Sequence, residues 1–143
     1  MSFTLLSSPL QRFTDFRFRN AVNKYFGGID TYYSPYIRLN GKLVIKSSYE
    51  RDLLPENNIG LEVIPQVITN DAEEFLFVAK YVQQLGYKEL NWNLGCPYPM
   101  VTKLGIASVC EKTSVCISPN IAKKLFPTFT TSRLNGILYS KAT

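Results

Sequence analysis

Apolar and polar positions follow two rhythms along this chain, one with the period of a strand and one with the period of a helix, and the two take turns. Phe3-Thr4-Leu5-Leu6 is a short apolar run closed by Ser7-Ser8-Pro9, which predicts a buried strand followed by a loop. Thr14 or Asp15 can cap a helix reaching about Tyr25. Phe18, Ala21, Val22 and Tyr25 recur at helical spacing as its apolar face, and Gly27-Gly28 stops it. Thr31-Tyr32-Tyr33 favours a strand that ends at Ser34-Pro35. Between Arg38 and Leu54 the pair Asn40-Gly41 predicts a small hairpin, and Pro55 to Asn58 a loop. Leu61 to Ile68 predicts a third strand, with Pro65 imposing an end or irregularity near Gln66. Asn70 with Glu73 has the spacing of a capping box. It opens a helix from Asp71 to Leu85 that carries Phe75, Val78, Ala79 and Val82 on one face and meets Gly86 at its end. Lys88 to Asn93 predicts a fourth strand, and Gly95-Cys96-Pro97 turns out of it.

The order strand, helix, strand, insert, strand, helix, strand is the alternation of parallel α/β proteins. Polar groups gather just after the strands, at Pro9 to Gln11, at Gln66 and from Asn93 to Cys96. In a (β/α) barrel or an open parallel sheet that edge is where ligands bind.

Composition narrows the chemistry. The chain has 143 residues, 45% hydrophobic and 19% charged, enough apolar content for a packed core. It contains no histidine, which removes Ser–His–Asp and Cys–His machinery and histidine-ligated metals. Cys96, Cys110 and Cys116 include no CxxC pair, so zinc is a poor reading and a reducing, cytoplasmic setting is expected. No run approaches the roughly 18 apolar residues of a membrane span, and the polar start of the chain does not read as a signal peptide. The net charge is +5. Residues 1–105 hold 11 Lys/Arg against 10 Asp/Glu, whereas residues 106–143 hold five Lys/Arg against Glu111 alone. The basic excess, which by itself suggests a polyanionic partner, therefore sits in the last quarter of the chain, together with ten Ser/Thr.

The densest constellation is Asn91-Trp92-Asn93-Leu94-Gly95-Cys96-Pro97. A thiol between glycine and proline at a strand exit has a fixed backbone and can give up a proton. Asn93 offers a donor and an acceptor to a planar heterocycle. Each residue also has a plainer reading. A lone cysteine is more often a small buried hydrophobe, Gln66 can simply satisfy backbone at a strand end, and Lys103 reads alone as a solvated surface lysine. Arg17 and Arg19 read as surface charge.

Asn93-Leu94-Gly95-Cys96-Pro97 resembles the Asn-x-Gly-Cys-Pro pattern of the tRNA-dihydrouridine synthases. Ser8-Pro9-Leu10-Gln11-Arg12-Phe13-Thr14-Asp15 is similar to the family's Ala-Pro-Met-x-Gly-Val-Thr-Asp segment, and Ile64-Pro65-Gln66-Val67 to its third strand. Val101-Thr102-Lys103 with Gly105 is similar to the start of its loop after the cysteine. The resemblance implies an α/β fold of the FMN-binding (β/α)8 type, reducing uridine in tRNA to 5,6-dihydrouridine with FMN and NADPH. Carried over by position, Cys96 would be the proton donor. Pro9, Leu10 and Gln11 would line FMN largely through backbone, and Gln66 would hydrogen-bond its ring. Asn93 would face flavin and uracil, and Lys103 would lie near the substrate. No metal is implied.

Three departures from the pattern matter. Arg12 stands where the family has glycine, and Leu10 where it has methionine. After Gly105 the resemblance stops. We therefore expect residues 1–105 to form a partial barrel domain of about four βα units, the N-terminal half of the family's catalytic domain. Residues 106–143 are expected to be an irregular basic tail. A truncated barrel of this kind would bind FMN weakly or not at all and could self-associate through open sheet edges. The competing expectation is a non-catalytic remnant or RNA-binding fragment.

Overall fold

The structure, a computed structural model, describes residues 3–93, 129–134 and 137–142. Four strands run parallel in sequence order. They are β1 (Leu6–Ser7), β2 (Thr31–Ile37), β3 (Val63–Val67) and β4 (Glu89–Asn93). Between them lie α1 (Phe16–Tyr25), α2 (Ser47–Leu53) with a single 3₁₀ turn at Pro55–Asn57, and α3 (Ala72–Gln84). This is the expected α/β alternation of a (β/α) barrel.

The tail departs from expectation. Its described residues form two strands, β5 (Phe129–Leu134) and β6 (Ile137–Ala142), paired antiparallel to each other. β6 also pairs antiparallel with β4 from Glu89↔Lys141 to Asn93↔Ile137, giving the sheet order β1-β2-β3-β4-β6-β5. The β4 edge expected to be open is therefore occupied.

The core lies between the sheet and α3. Val67, Leu90 and Trp92 from the strands meet Phe75, Val78, Ala79 and Val82 from the helix, and Ile37, Leu39 and Leu53 close the cluster. The α3 residues are those picked out by helical spacing. Phe75 and Trp92 stack at 4.5 Å between ring centroids, and the Trp92 indole N–H donates to the Thr69 carbonyl at 2.9 Å. That bond satisfies the one polar atom of a buried tryptophan. The cap of α3 is Asp71 rather than Asn70, since its Oδ1 accepts from the backbone of Glu73 and Glu74.

The start of the chain differs from its reading. β1 has two residues and lies at the sheet edge, with Phe3 86% exposed and Leu5 and Leu6 also exposed. In α1, capped by Asp15, the apolar positions Phe18, Ala21 and Tyr25 face solvent, and the buried residue is Arg19. The helix docks through polar contacts instead. Arg19 reaches Asp52 and Asn58, and Asn20 Nδ2 donates to the Asn57 carbonyl at 2.7 Å. Reading Arg19 as surface charge is thus corrected, because an ion pair and a carboxamide on α2 and the 3₁₀ segment supply what its guanidinium needs.

Asn40-Gly41 forms no hairpin. Both residues have positive φ, and the chain turns there before entering α2. Pro65 does not end β3, in which all five residues are buried. The irregularity appears in the pairing with β2 instead, at Ser34-Pro35. β2 continues past Ser34-Pro35, with a register shift between Tyr33↔Ile64 and Tyr36↔Gln66 that places an extra β2 residue opposite Pro65. A proline cannot donate to the ladder, and here Pro35 and Pro65 both fall within the shifted register of this bulge.

Candidate functional site

The carboxyl ends of β1 to β4 carry a connected set of amides. At the exit of β1 the segment Pro9 to Thr14 folds into a turn. The Leu10 carbonyl accepts from the backbone N–H of Phe13 at 3.0 Å and of Thr14 at 3.1 Å. The Leu10 N–H donates to the Thr14 hydroxyl at 2.9 Å. The main-chain polar groups of Leu10 are therefore taken up inside the turn, and what it presents outward is a side chain 59% exposed. Arg12, third residue of the four-residue turn closed by the Phe13 N–H on the Leu10 carbonyl, has φ +73 and is exposed. A turn with positive φ at its third residue favours glycine. That explains the family's glycine at this point and shows where the arginine goes: outward, with its backbone in the left-handed region.

Gln11 reaches across to β2, where its Nε2 donates to the Tyr36 carbonyl at 3.3 Å. Tyr36 is the register partner of Gln66 on β3. The Gln66 main-chain N–H, deprived of an ordinary ladder partner by the bulge, donates to the Ser34 hydroxyl at 3.0 Å. Its side chain crosses to β4. Gln66 Nε2 donates to Asn91 Oδ1 at 2.8 Å, and Gln66 Oε1 accepts from Asn93 Nδ2 at 3.1 Å. Gln66, Asn91 and Asn93 thus form one amide triad on the face of the sheet opposite α3, set there because alternate residues of a strand face the same way. Val67, Leu90 and Trp92 take the helix side.

Two buried polar atoms in this set have no partner among the described residues, Gln11 Oε1 and Asn91 Nδ2. Leaving such a group unsatisfied costs about 1–3 kcal/mol each, so a ligand that meets them gains by doing so. The available chemistry is a set of neutral hydrogen-bond donors and acceptors beside exposed Leu10, suited to a flat, uncharged heterocycle with polar edges.

Of the residues singled out from the sequence, the structure brings Gln11, Gln66 and Asn93 into this network, with Pro9 and Leu10 in the turn beside it. Cys96 and Lys103 lie outside the described residues. Asn91 was missed as a site residue. Its signal was period two from Asn93 within a strand, which places both on one face. Among the described residues no helix is long and apolar enough to cross a membrane, and no group of three or more His, Cys, Asp or Glu could hold a metal ion.

The model of one protein family, dihydrouridine synthase (Dus), matches residues 5–117. The matched span begins at β1 and runs twelve residues beyond Gly105. No curated protein and no solved structure matches the chain.

Proposed function

This chain belongs to the dihydrouridine synthase family, and on that premise we propose that it reduces uridine in tRNA to 5,6-dihydrouridine with FMN as cofactor and NAD(P)H as reductant. The observation that carries the reading is the amide network at the strand exits, with its two buried unpartnered atoms, Gln11 Oε1 and Asn91 Nδ2. These residues fit the flavin ring, whose pyrimidine edge alternates carbonyl oxygens with N–H.

Gln66 and Gln11 would hold the ring by its polar edge, with Pro9 and Leu10 giving apolar cover on the β1 side. A flavin held there would supply the hydride chemistry for the uracil, with NAD(P)H as the source of electrons. Asn93, already held by Gln66, would orient the base with its carboxamide. Cys96, three residues beyond Asn93 and flanked by Gly95 and Pro97, would hold a proton on its thiol and deliver it to C5. Lys103 would lie near the substrate as a cation for the RNA backbone. A base paired or stacked in tRNA cannot reach such a site, so it must leave the stack.

The test uses the full chain with FMN, NADPH and an unmodified tRNA transcript, with dihydrouridine read by mass spectrometry. We expect dihydrouridine to form. Cys96→Ala should retain FMN and lose about 10²–10⁴-fold in rate, the usual contribution of a positioned acid. Absence of product from protein loaded with FMN would contradict the proposal.

A further inference from the structure

We propose that Asn91 is a positioning residue that holds the ring-binding amide of Gln66, an inference that rests on reading this edge as a flavin site. Asn91 is fully buried, at 0% exposure, and stands opposite Gln66 in the β3–β4 register. Its Oδ1 accepts from Gln66 Nε2 at 2.8 Å, while Asn93 Nδ2 donates to Gln66 Oε1 at 3.1 Å. Gln66 is gripped at both ends of its amide.

A primary amide carries two N–H groups and two carbonyl lone pairs. Asn91 takes one N–H and Asn93 one lone pair, so one of each stays adjacent and unspent. An adjacent donor and acceptor is the complement of one carbonyl and one N–H on a pyrimidine edge. The order matters: with the nitrogen end toward Asn91 and the oxygen end toward Asn93, the pair fits the edge in one sense only. Asn93 sits at the last residue of β4, whereas Asn91 is two residues inside it and fully enclosed. The rigid anchor is therefore Asn91. Its own Nδ2 is buried and has no partner among the described residues.

The experiment combines side-chain amide hydrogen exchange of Gln66 in the ligand-free full chain with FMN titration by fluorescence quenching. In wild type the Gln66 amide protons exchange at least tenfold more slowly than those of a free glutamine side chain. Asn91→Leu abolishes that protection and raises the FMN Kd at least tenfold. Asn91→Asp, which keeps an acceptor oxygen, restores the protection. The proposal is overturned if wild-type Gln66 exchanges at the free rate, if Asn91→Leu leaves protection or Kd unchanged, or if Asn91→Asp fails to restore protection. Should Asn91→Leu not fold, wild type and Asn91→Asp still decide. Normal protection in a chain that binds no FMN sinks the flavin reading and leaves Asn91 as the anchor of Gln66.

Discussion

Arg19 on α1 and Asp52 on α2 form a buried ion pair, Nη2 to Oδ1 at 3.1 Å, with their side chains 1% and 12% exposed. Arg19 also donates to the carbonyls of Thr14 and Asp52 and to Asn58 Oδ1, and Asp52 Oδ1 accepts from the Phe16 N–H at 2.6 Å. Burial pushes the Asp52 carboxyl up, and the Arg19 guanidinium pulls it back down. The pair ties the first helix to α2, and removing one member leaves a buried charge alone. Arg19→Met should cost about 3–5 kcal/mol in urea unfolding. The double change Arg19→Met with Asp52→Leu should cost clearly less than the sum of the two single changes, because no charge is then stranded.

Arg12 occupies the left-handed region, at φ +73, in an exposed turn. For a residue with a Cβ that region costs about 1–2 kcal/mol, and the extra freedom glycine brings to the unfolded chain returns about 0.4–1 kcal/mol of that. Arg12→Gly should therefore raise stability by up to about 1.6 kcal/mol, and Arg12→Val should lower it. Thermal unfolding of the two variants beside wild type checks both signs.

Tyr87 donates its hydroxyl to the Leu53 carbonyl at 2.8 Å, and burial pushes its pKa up to about 12. A raised folded pKa means that the folded protein keeps its proton where the unfolded chain has lost it. The stabilising contribution is complete below about pH 10 and disappears as pH rises toward 12. Discounted for partial exposure, the loss over that interval is about 1–2 kcal/mol. Tyr87→Phe should cost about 1 kcal/mol at neutral pH by deleting the hydrogen bond. It should also flatten the alkaline arm of a stability–pH curve between pH 10 and 12.

Which parts of this architecture were legible depended on what drives each element. α3 was read correctly because apolar burial forms it, and burial leaves a periodic trace at Phe75, Val78, Ala79 and Val82. α1 was read in extent but with the wrong face, since Phe18 and Tyr25 mimic an apolar stripe while Arg19 does the docking. An arginine whose partner lies 33 residues away leaves no local signal. Pro65 predicted an end or an irregularity near Gln66; the irregularity is there, as the register shift between β2 and β3, while β3 itself runs on. Asn-Gly misled at Asn40-Gly41, where both residues have positive φ and the chain turns toward a helix. The site was legible at Gln66 and Asn93 through the family motif. Asn91 escaped because its part depends on register across two strands.

The central claim is that the exits of β1, β3 and β4 hold a flavin ring, with Gln66 as its main polar contact. Its most direct test is FMN titration of the full chain by fluorescence quenching, wild type against Gln66→Leu. Wild type should bind, though weakly for a flavoprotein, with a Kd of about micromolar or above, about −8 kcal/mol or less favourable. Gln66→Leu should weaken binding at least tenfold, about 1.4 kcal/mol. A wild-type chain that leaves FMN fluorescence unchanged, or a Gln66→Leu chain that binds as wild type does, would contradict the account.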